Sequence, residues 1–231
     1  MDKSSTDDSY DVARTIADRV ERVPWTPLGE HTRGYAESLC TNDWIIYLDD
    51  DEILSPNAEP VFRRLIADNE APVFFIPIFH YFLGRWDHRV NDQEWRPVLH
   101  RRGELNHAQR LHTDAEIPGQ KAMFVCDGSA WIHHLAHPDV TSWVEKTNRY
   151  TTISQDQNPN RKFQYPTLES FVRESVVYRF NERAIVDMYG EAVATLRVIY
   201  DLIEGLKCWE RGQPDGHAAF DAFCREIEEE R

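Results

Sequence analysis

The stretch Trp44-Ile45-Ile46-Tyr47-Leu48, followed at once by Asp49-Asp50-Asp51-Glu52, decides the fold class of this chain. Its apolar part is continuous rather than alternating, which predicts a strand buried on both faces, as in a parallel sheet. Ser55-Pro56 comes next, and a cap residue followed by proline predicts a helix that runs to about Asp68. A strand, an acidic turn and a helix in succession indicate an α/β sheet.

The rest of the chain divides into a mixed part and a helical part. Strand-like segments are expected at 73–81, 97–101 and 123–133. Farther along, apolar residues recur at helical spacing instead. The sequence shows no internal repeat and no low-complexity linker. We therefore expect one α/β unit over residues 1–160 and a helical extension over residues 161–231.

The composition narrows the classes of function. A net charge of -14 argues against nonspecific binding to nucleic acid, because a polyanion would be repelled on average. The four cysteines include no C-x-x-C pair, which fits reduced thiols in a cytosolic protein. The sequence starts in a polar, acidic stretch rather than a signal peptide. We expect a cytoplasmic location, with peripheral association at the inner face of the cell membrane left open.

The acidic turn at residues 49–52 has two interpretations. Four adjacent carboxylates repel one another, and a bound divalent cation would relieve that cost. Oxygen ligands suit Mg²⁺ or Mn²⁺, which can also bridge a diphosphate leaving group. The alternative is a solvated turn that only caps the following helix. The spacing of the carboxylates alone leaves both interpretations open.

Leu48-Asp49-Asp50-Asp51-Glu52 is similar to a Leu-Asp-x-Asp-Glu signature, and other elements resemble motifs of the same family in the same order. That family is glycosyltransferase family 2, in the branch resembling bacterial lipopolysaccharide-core and related cell-surface glycosyltransferases. The similarity extends over most of the chain. The other elements are Asp2-Lys3-Ser4-Ser5-Thr6-Asp7-Asp8-Ser9, Pro24-Trp25, Arg33, Phe82-Leu83-Gly84-Arg85, and His133 with Lys146, Asn148 and Tyr150.

The resemblance implies a GT-A-like (Rossmann-like) mixed sheet flanked by helices. It implies inverting transfer of a sugar from a nucleotide-diphosphate donor to a cell-surface glycan or lipid-linked acceptor. Met1 precedes the Asp2 segment directly, so residues 1–160 are expected to form a partial catalytic domain without the first β-α-β elements. The alternative is a catalytically impaired binding or scaffold protein. A metal-dependent phosphohydrolase is disfavoured, because the sequence has no Asp nucleophile motif with a downstream lysine.

The resemblance also implies roles for individual residues. Asp49 and Asp51 match the metal-binding positions, with Mg²⁺ or Mn²⁺ expected. His133 is the better match to a late histidine ligand, although His134 beside it is an alternative. A hydrogen-bonded structural role for either histidine is the competing interpretation.

The donor nucleotide is expected to contact a second set of residues. Asp2 matches a carboxylate that approaches the nucleotide, although a frayed terminal residue is an equal alternative. Arg96 could hold the diphosphate through charge-assisted hydrogen bonds, or it could be an ordinary surface arginine. The full predicted donor set is Asp2, Arg33, Asp49, Asp50 and Arg96.

The general base is expected in Leu111-His112-Thr113-Asp114, where the family has a Val-His-Glu-like element. The family's glutamate is replaced by Thr113, which leaves the base open. Asp114 is the first candidate, with His112 and Glu116 behind it. All three could instead belong to a loop without a catalytic role.

Overall fold

The computed structural model describes residues 1–88, 93–107, 109–111, 115–119, 121–181, 185 and 187–229. The chain forms two compact units, Met1–Val140 and Thr141–Arg231. The first combines a sheet with helices and the second is helical. The prediction of an α/β fold with a mixed sheet flanked by helices is confirmed.

The first unit contains three helices and six strands among its described residues. They are α1 (Ser9–Ile16), α2 (Glu30–Ser38), β1 (Trp44–Ile46), β2 (Glu52–Leu54), α3 (Ala58–Asp68), β3 (Val73–Phe82), β4 (Gln93–Arg101), β5 (Ala122–Phe124) and β6 (Ile132–His137). The strands form one sheet in the order β1-β4-β3-β6-β2, and β5 pairs with β3 outside this path. The pairings of β3 with β5 and β6 are parallel, and the other pairings are antiparallel.

The core of the first unit combines residues of the sheet with residues of α3. Phe74, Ile76 and Ile78 occupy alternate positions on β3, and all three side chains are almost completely buried. Val61 and Phe62 of α3 belong to the same buried cluster. The predicted helix therefore forms and ends where expected. Its first residue lies two positions after the predicted proline.

One detail of the predicted fold is wrong. The segment at residues 44–48 was expected to be a strand buried on both faces of a parallel sheet. The observed β1 is shorter, pairs antiparallel with β4, and lies at one end of the described strand order. Ile45 is buried, whereas Ile46 and Leu48 are about two-fifths exposed (41% and 40%). An apolar run this short does not specify which neighbouring strand it will pair with.

The second unit is built from four described helices. Arg179 and Asp201 form an ion pair in this unit. Nε and Nη2 of Arg179 donate to the two carboxylate oxygens of Asp201 at 2.7 and 2.8 Å. Gly205 allows the ring of Phe171 to approach its helix closely. In the described part of the chain, no helix combines the length and apolar character needed to cross a bilayer. The helices are α4 (Val140–Gln157), α5 (Leu168–Asn181), α6 (Met188–Glu210) and α7 (Gly216–Glu229).

Candidate functional site

The acidic turn connects β1 to β2 and is closed by its own hydrogen bonds. The backbone N–H of Glu52 donates to the Asp49 carbonyl at 3.1 Å, and the backbone N–H of Asp49 donates to a Glu52 carboxylate oxygen at 3.1 Å. β2 then pairs with β6, which places Glu52 opposite His134. Asp50 is exposed at the tip, and Asp51 is half-buried beside it. The turn therefore has a fixed shape that presents its carboxylates in different environments.

Two arginines from separate elements neutralise part of the turn. Arg33 of α2 donates to both carboxylate oxygens of Asp49 at 2.9 and 3.1 Å. Arg96 of β4 donates to the Glu52 carboxylate at 2.7 Å and reaches Asp49 at 3.4 Å. The side chain of Glu52 is completely buried, so its charge depends on this pairing. The structure thus brings together Arg33, Asp49 and Arg96 of the predicted donor set.

Tyr47 lies beneath both guanidinium groups. The ring centroid is 5.0 Å from the guanidinium carbon of Arg33 and 5.5 Å from that of Arg96, which is cation–π distance. Burial raises the pKa of Tyr47 and outweighs the two arginines, so the phenol remains neutral. Burial opposes the charge on the arginines, but the Asp49 carboxylate keeps the pKa of Arg33 raised, and the carboxylates of Glu52 and Asp49 keep that of Arg96 raised.

Asp51 is the first of four side chains that are connected by successive polar contacts. Its carboxylate oxygen lies 3.3 Å from Nε2 of His134, and Nδ1 of His134 lies 2.7 Å from Nδ1 of His80. Nε2 of His80 is 3.0 Å from the carboxylate of Glu94. The hydrogen bond from His80 lowers the pKa of Glu94 in spite of burial, so Glu94 is ionised. His134 is therefore positioned by His80 and directed at Asp51.

His133 points away from the acidic turn, because neighbouring strand residues face opposite sides. The indole N–H of Trp131 donates to its Nε2 at 2.9 Å. The neutral ring must then carry its proton on Nδ1, which lies 2.8 Å from the hydroxyl oxygen of Tyr81. Both ring nitrogens of His133 are thus hydrogen-bonded within the protein. A ligand role for His133 stays a prediction, and the histidine beside Asp51 is His134.

Asp2 is ordered but is held by its own neighbourhood. Its backbone forms a short parallel bridge with Arg22, whose Nε lies 3.0 Å from the Asp2 carboxylate. The hydrogen bond from Ser5 lowers the pKa of Asp2. None of the contacts found for Asp2 among the described residues joins it to the acidic turn, so its nucleotide role stays a prediction.

Two of the three candidates for the general base, His112 and Asp114, lie outside the described residues, so their roles stay predictions. Glu116 is described, and its backbone exchanges hydrogen bonds with Asn106 at 2.8 and 3.0 Å. This bridge connects the chain on the two sides of the His112–Asp114 segment.

Comparison with known proteins gives partial matches to glycosyltransferases. The chain is 34% identical over 70 residues to an uncharacterized glycosyltransferase of Rickettsia typhi, covering 30% of this chain and 23% of that protein. It is 41% identical over 56 residues to one of Rickettsia prowazekii, covering 24% and 18%. It is 36% identical over 70 residues to one of Rickettsia felis, covering 30% and 24%. No family model matches the sequence.

The chain therefore spans about a quarter or less of the length of the curated relatives it matches. All three are named as glycosyltransferases, and this similarity supports the sequence-based prediction at that level.

Asp51 of the acidic turn and His134 of β6 are the side chains that could hold a divalent cation together. The 3.3 Å separation of the Asp51 oxygen and His134 Nε2 is close to that of two adjacent ligands of one ion. Mg²⁺ commonly binds one or two carboxylates and takes its remaining ligands from substrate phosphates and water. The Asp49 carboxylate is instead held by two arginines. Asp51 and His134 are thus better placed as ligands than Asp49, whose carboxylate is paired with the two arginines.

A second cluster of metal-binding side chains was not anticipated from the sequence. Among the described residues, one group of three brings its ligand atoms within 4.8 Å of one another, and it consists of Glu37, His100 and His107. The three residues lie on α2, on β4 and in the segment after β4, and no metal-binding spacing in the sequence links them.

Proposed function

We propose that this chain is a glycosyltransferase that uses the acidic turn to bind a nucleotide-diphosphate sugar through Mg²⁺ or Mn²⁺. The proposed reaction is inverting transfer to a cell-surface glycan or lipid-linked acceptor. The observation that carries the proposal is the turn itself. Its glycosyltransferase-like signature is paired with two arginines and lies beside His134. The partial similarity to proteins named glycosyltransferases supports it.

The distribution of charge around the turn supports a cation at Asp51. Asp49 and Glu52 are matched by the two guanidinium groups, whereas Asp50 is exposed and Asp51 faces a histidine. A divalent cation beside Asp50 and Asp51 would be stabilised by their carboxylates. When bound there, the cation would supply charge neutralisation for a diphosphate leaving group.

The arginines have a positioning role in this proposal. Arg33 and Arg96 hold Asp49 and Glu52 in place from two different elements, so the turn keeps its shape when a charged donor approaches. Asp49 and Asp50 remain the proposed contacts to the donor. An acceptor hydroxyl also needs a base within hydrogen-bond reach, for which Asp114 and His112 remain the proposed candidates.

Release of nucleoside diphosphate tests the proposal. The chain is incubated with UDP-, GDP- and dTDP-sugars, in the presence of a membrane glycolipid extract as acceptor, with Mn²⁺, Mg²⁺ or EDTA. We expect release with one donor class that requires the metal and the extract. Asp51→Ala should reduce the rate at least about 100-fold, since the metal contributes several kcal/mol to the transition state.

Asp43→Ala is the matched control, because Asp43 lies just before β1 and its side chain is 89% exposed. It should retain the wild-type rate. Metal-dependent nucleotide binding without any release would instead support the alternative, a catalytically impaired binding protein. Release that is equal in the wild type and in Asp51→Ala would contradict the proposed site.

A further inference from the structure

Glu37, His100 and His107 form a compact polar cluster in the first unit. One carboxylate oxygen of Glu37, Oε2, lies 2.5 Å from Nε2 of His107 and 3.4 Å from Nε2 of His100. The other oxygen accepts a hydrogen bond from the backbone N–H of Gly103 at 2.8 Å. Two imidazoles from different segments therefore converge on one carboxylate oxygen.

His100 is the unusual member of the cluster. Its side chain is completely buried, yet neither ring nitrogen has a hydrogen-bond partner. Buried polar groups are nearly always paired, because an unpaired one loses its hydration without compensation. Nε2 nevertheless lies 3.4 Å from the Glu37 oxygen, a separation that two ligands of one ion can have.

We propose that Glu37, His100 and His107 bind a divalent transition-metal ion of the zinc type. Tetrahedral ligands about 2.0–2.1 Å from zinc stand about 3.3 Å apart. The His100–Glu37 distance of 3.4 Å already matches this spacing. The ion would replace the proton between His107 and Glu37, and those two atoms would separate by about 0.8 Å, a shift that small side-chain rotations can supply.

The ligand set favours zinc over the ions proposed for the acidic turn. Two imidazoles and one carboxylate are a known zinc set, whereas Mg²⁺ and Mn²⁺ prefer oxygen ligands. Three protein ligands leave a fourth position for water. Because Gly103 already holds the second oxygen of Glu37, the carboxylate is oriented by a neighbour outside the ligand set.

The bound ion would join three parts of the first unit. It would link α2, β4 and the segment after β4 that leads toward the predicted base candidates. The Tyr47 ring also contacts both imidazoles, with centroid distances of 6.2 Å to His100 and 5.9 Å to His107. The same Tyr47 ring packs against both arginines of the acidic turn. By holding the two imidazoles next to Tyr47, the ion would stabilise the side chains on which those arginines pack.

Zinc binding by the full chain tests this inference. The protein is treated with EDTA and then titrated with Zn²⁺ in competition with a chromogenic chelator, and Co²⁺ absorption reports the ligand geometry. We expect one tight zinc site per chain. Because changes even outside a ligand set cost about 10–100-fold in affinity, His107→Ala should weaken zinc binding by at least about 100-fold.

Glu37→Gln is the second variant, since its amide oxygen can still accept from Gly103 while the anionic ligand is lost. It should also weaken zinc binding, even if His107→Ala disturbs folding. His217→Ala, an exposed histidine in α7, and Asp51→Ala are the controls and should retain the affinity.

Absence of zinc binding by the wild type would overturn the inference. So would zinc affinity that is unchanged in both Glu37→Gln and His107→Ala, or that disappears in Asp51→Ala. The last result would assign the zinc to the acidic turn. Because the readout is zinc affinity alone, these outcomes are independent of any test of sugar transfer.

Discussion

The ion pair between Arg96 and Glu52 offers a quantitative test of how the acidic turn is held. Arg96→Met keeps a side chain of similar length but removes the cation, which leaves the fully buried Glu52 carboxylate unpaired. Breaking a buried pair in this way typically costs 3–5 kcal/mol. The Arg96 side chain is 17% exposed, and Arg33 still neutralises Asp49, so we expect the low end, about 3 kcal/mol.

The free energy of unfolding can be measured by urea titration with tryptophan fluorescence. With a slope of about 2 kcal/mol per M, the loss would lower the urea midpoint by about 1.5 M. A double-mutant cycle with Glu52→Gln should give a coupling energy of roughly 2 kcal/mol or more. Most tryptophans report on the first unit, namely Trp25, Trp44, Trp86, Trp95 and Trp131.

The exposed pair of Arg63 and Glu59 on α3 is the matched control. Its side chains are 76% and 73% exposed, and such pairs contribute about 0.3–0.5 kcal/mol. If Arg96→Met lowered the free energy of unfolding by no more than Arg63→Met does, the Glu52 carboxylate would be hydrated rather than held by Arg96. The structural reasoning about the turn would then be refuted.

Three other predictions concern packing, metal binding and pH. Gly205→Ala should destabilise the second unit by about 1–3 kcal/mol in urea unfolding, because a new Cβ would lie 2.2 Å from a ring atom of Phe171. His134→Ala should weaken Mn²⁺ binding about tenfold or more by electron paramagnetic resonance, since His134 faces Asp51. Burial, together with neighbouring carboxylates, raises the pKa of Tyr200 to about 12, so Tyr200→Phe should remove one late-ionising phenol from an ultraviolet titration. This raised pKa contributes stability below about pH 10 that is lost as pH rises toward 12.

Each of these predictions has its own control. Gly216→Ala should be neutral, because no atom lies within 4 Å of its added Cβ, and an equal cost at both glycines would contradict the packing account. His133→Ala should leave Mn²⁺ affinity unchanged, and a larger loss there than in His134→Ala would favour His133 as the ligand. A tyrosine titration that is identical in Tyr200→Phe would show that Tyr200 ionises normally.

The sequence could predict elements whose signals are local. The helix after Ser55-Pro56 and the turn at residues 49–52 are encoded by adjacent residues, and both are found where expected. The strand partner of β1 was not predictable, because a five-residue apolar run is compatible with either a parallel or an antiparallel neighbour. The mixed α/β character could therefore be predicted from the sequence, whereas the strand order could not.

The details of the site depend on contacts that the sequence does not encode locally. His133 and His134 are adjacent, and only the pairing of β2 with β6 decides which one faces Asp51. Arg33 and Arg96 meet Asp49 because α2 and β4 converge on the turn, which is a consequence of tertiary packing. The cluster of Glu37, His100 and His107 is assembled in the same way, from α2, β4 and the segment after β4.

Calorimetry with nucleotide and metal tests the central claim most directly. UDP, GDP and dTDP are each titrated into the wild type, Asp51→Ala and Asp43→Ala, with Mn²⁺ and with EDTA. The account predicts that one nucleotide binds only with Mn²⁺, that Asp51→Ala abolishes the binding, and that Asp43→Ala retains it. Failure of all three nucleotides to bind in a metal-dependent manner, or equal binding by Asp51→Ala, would contradict the assignment of the acidic turn.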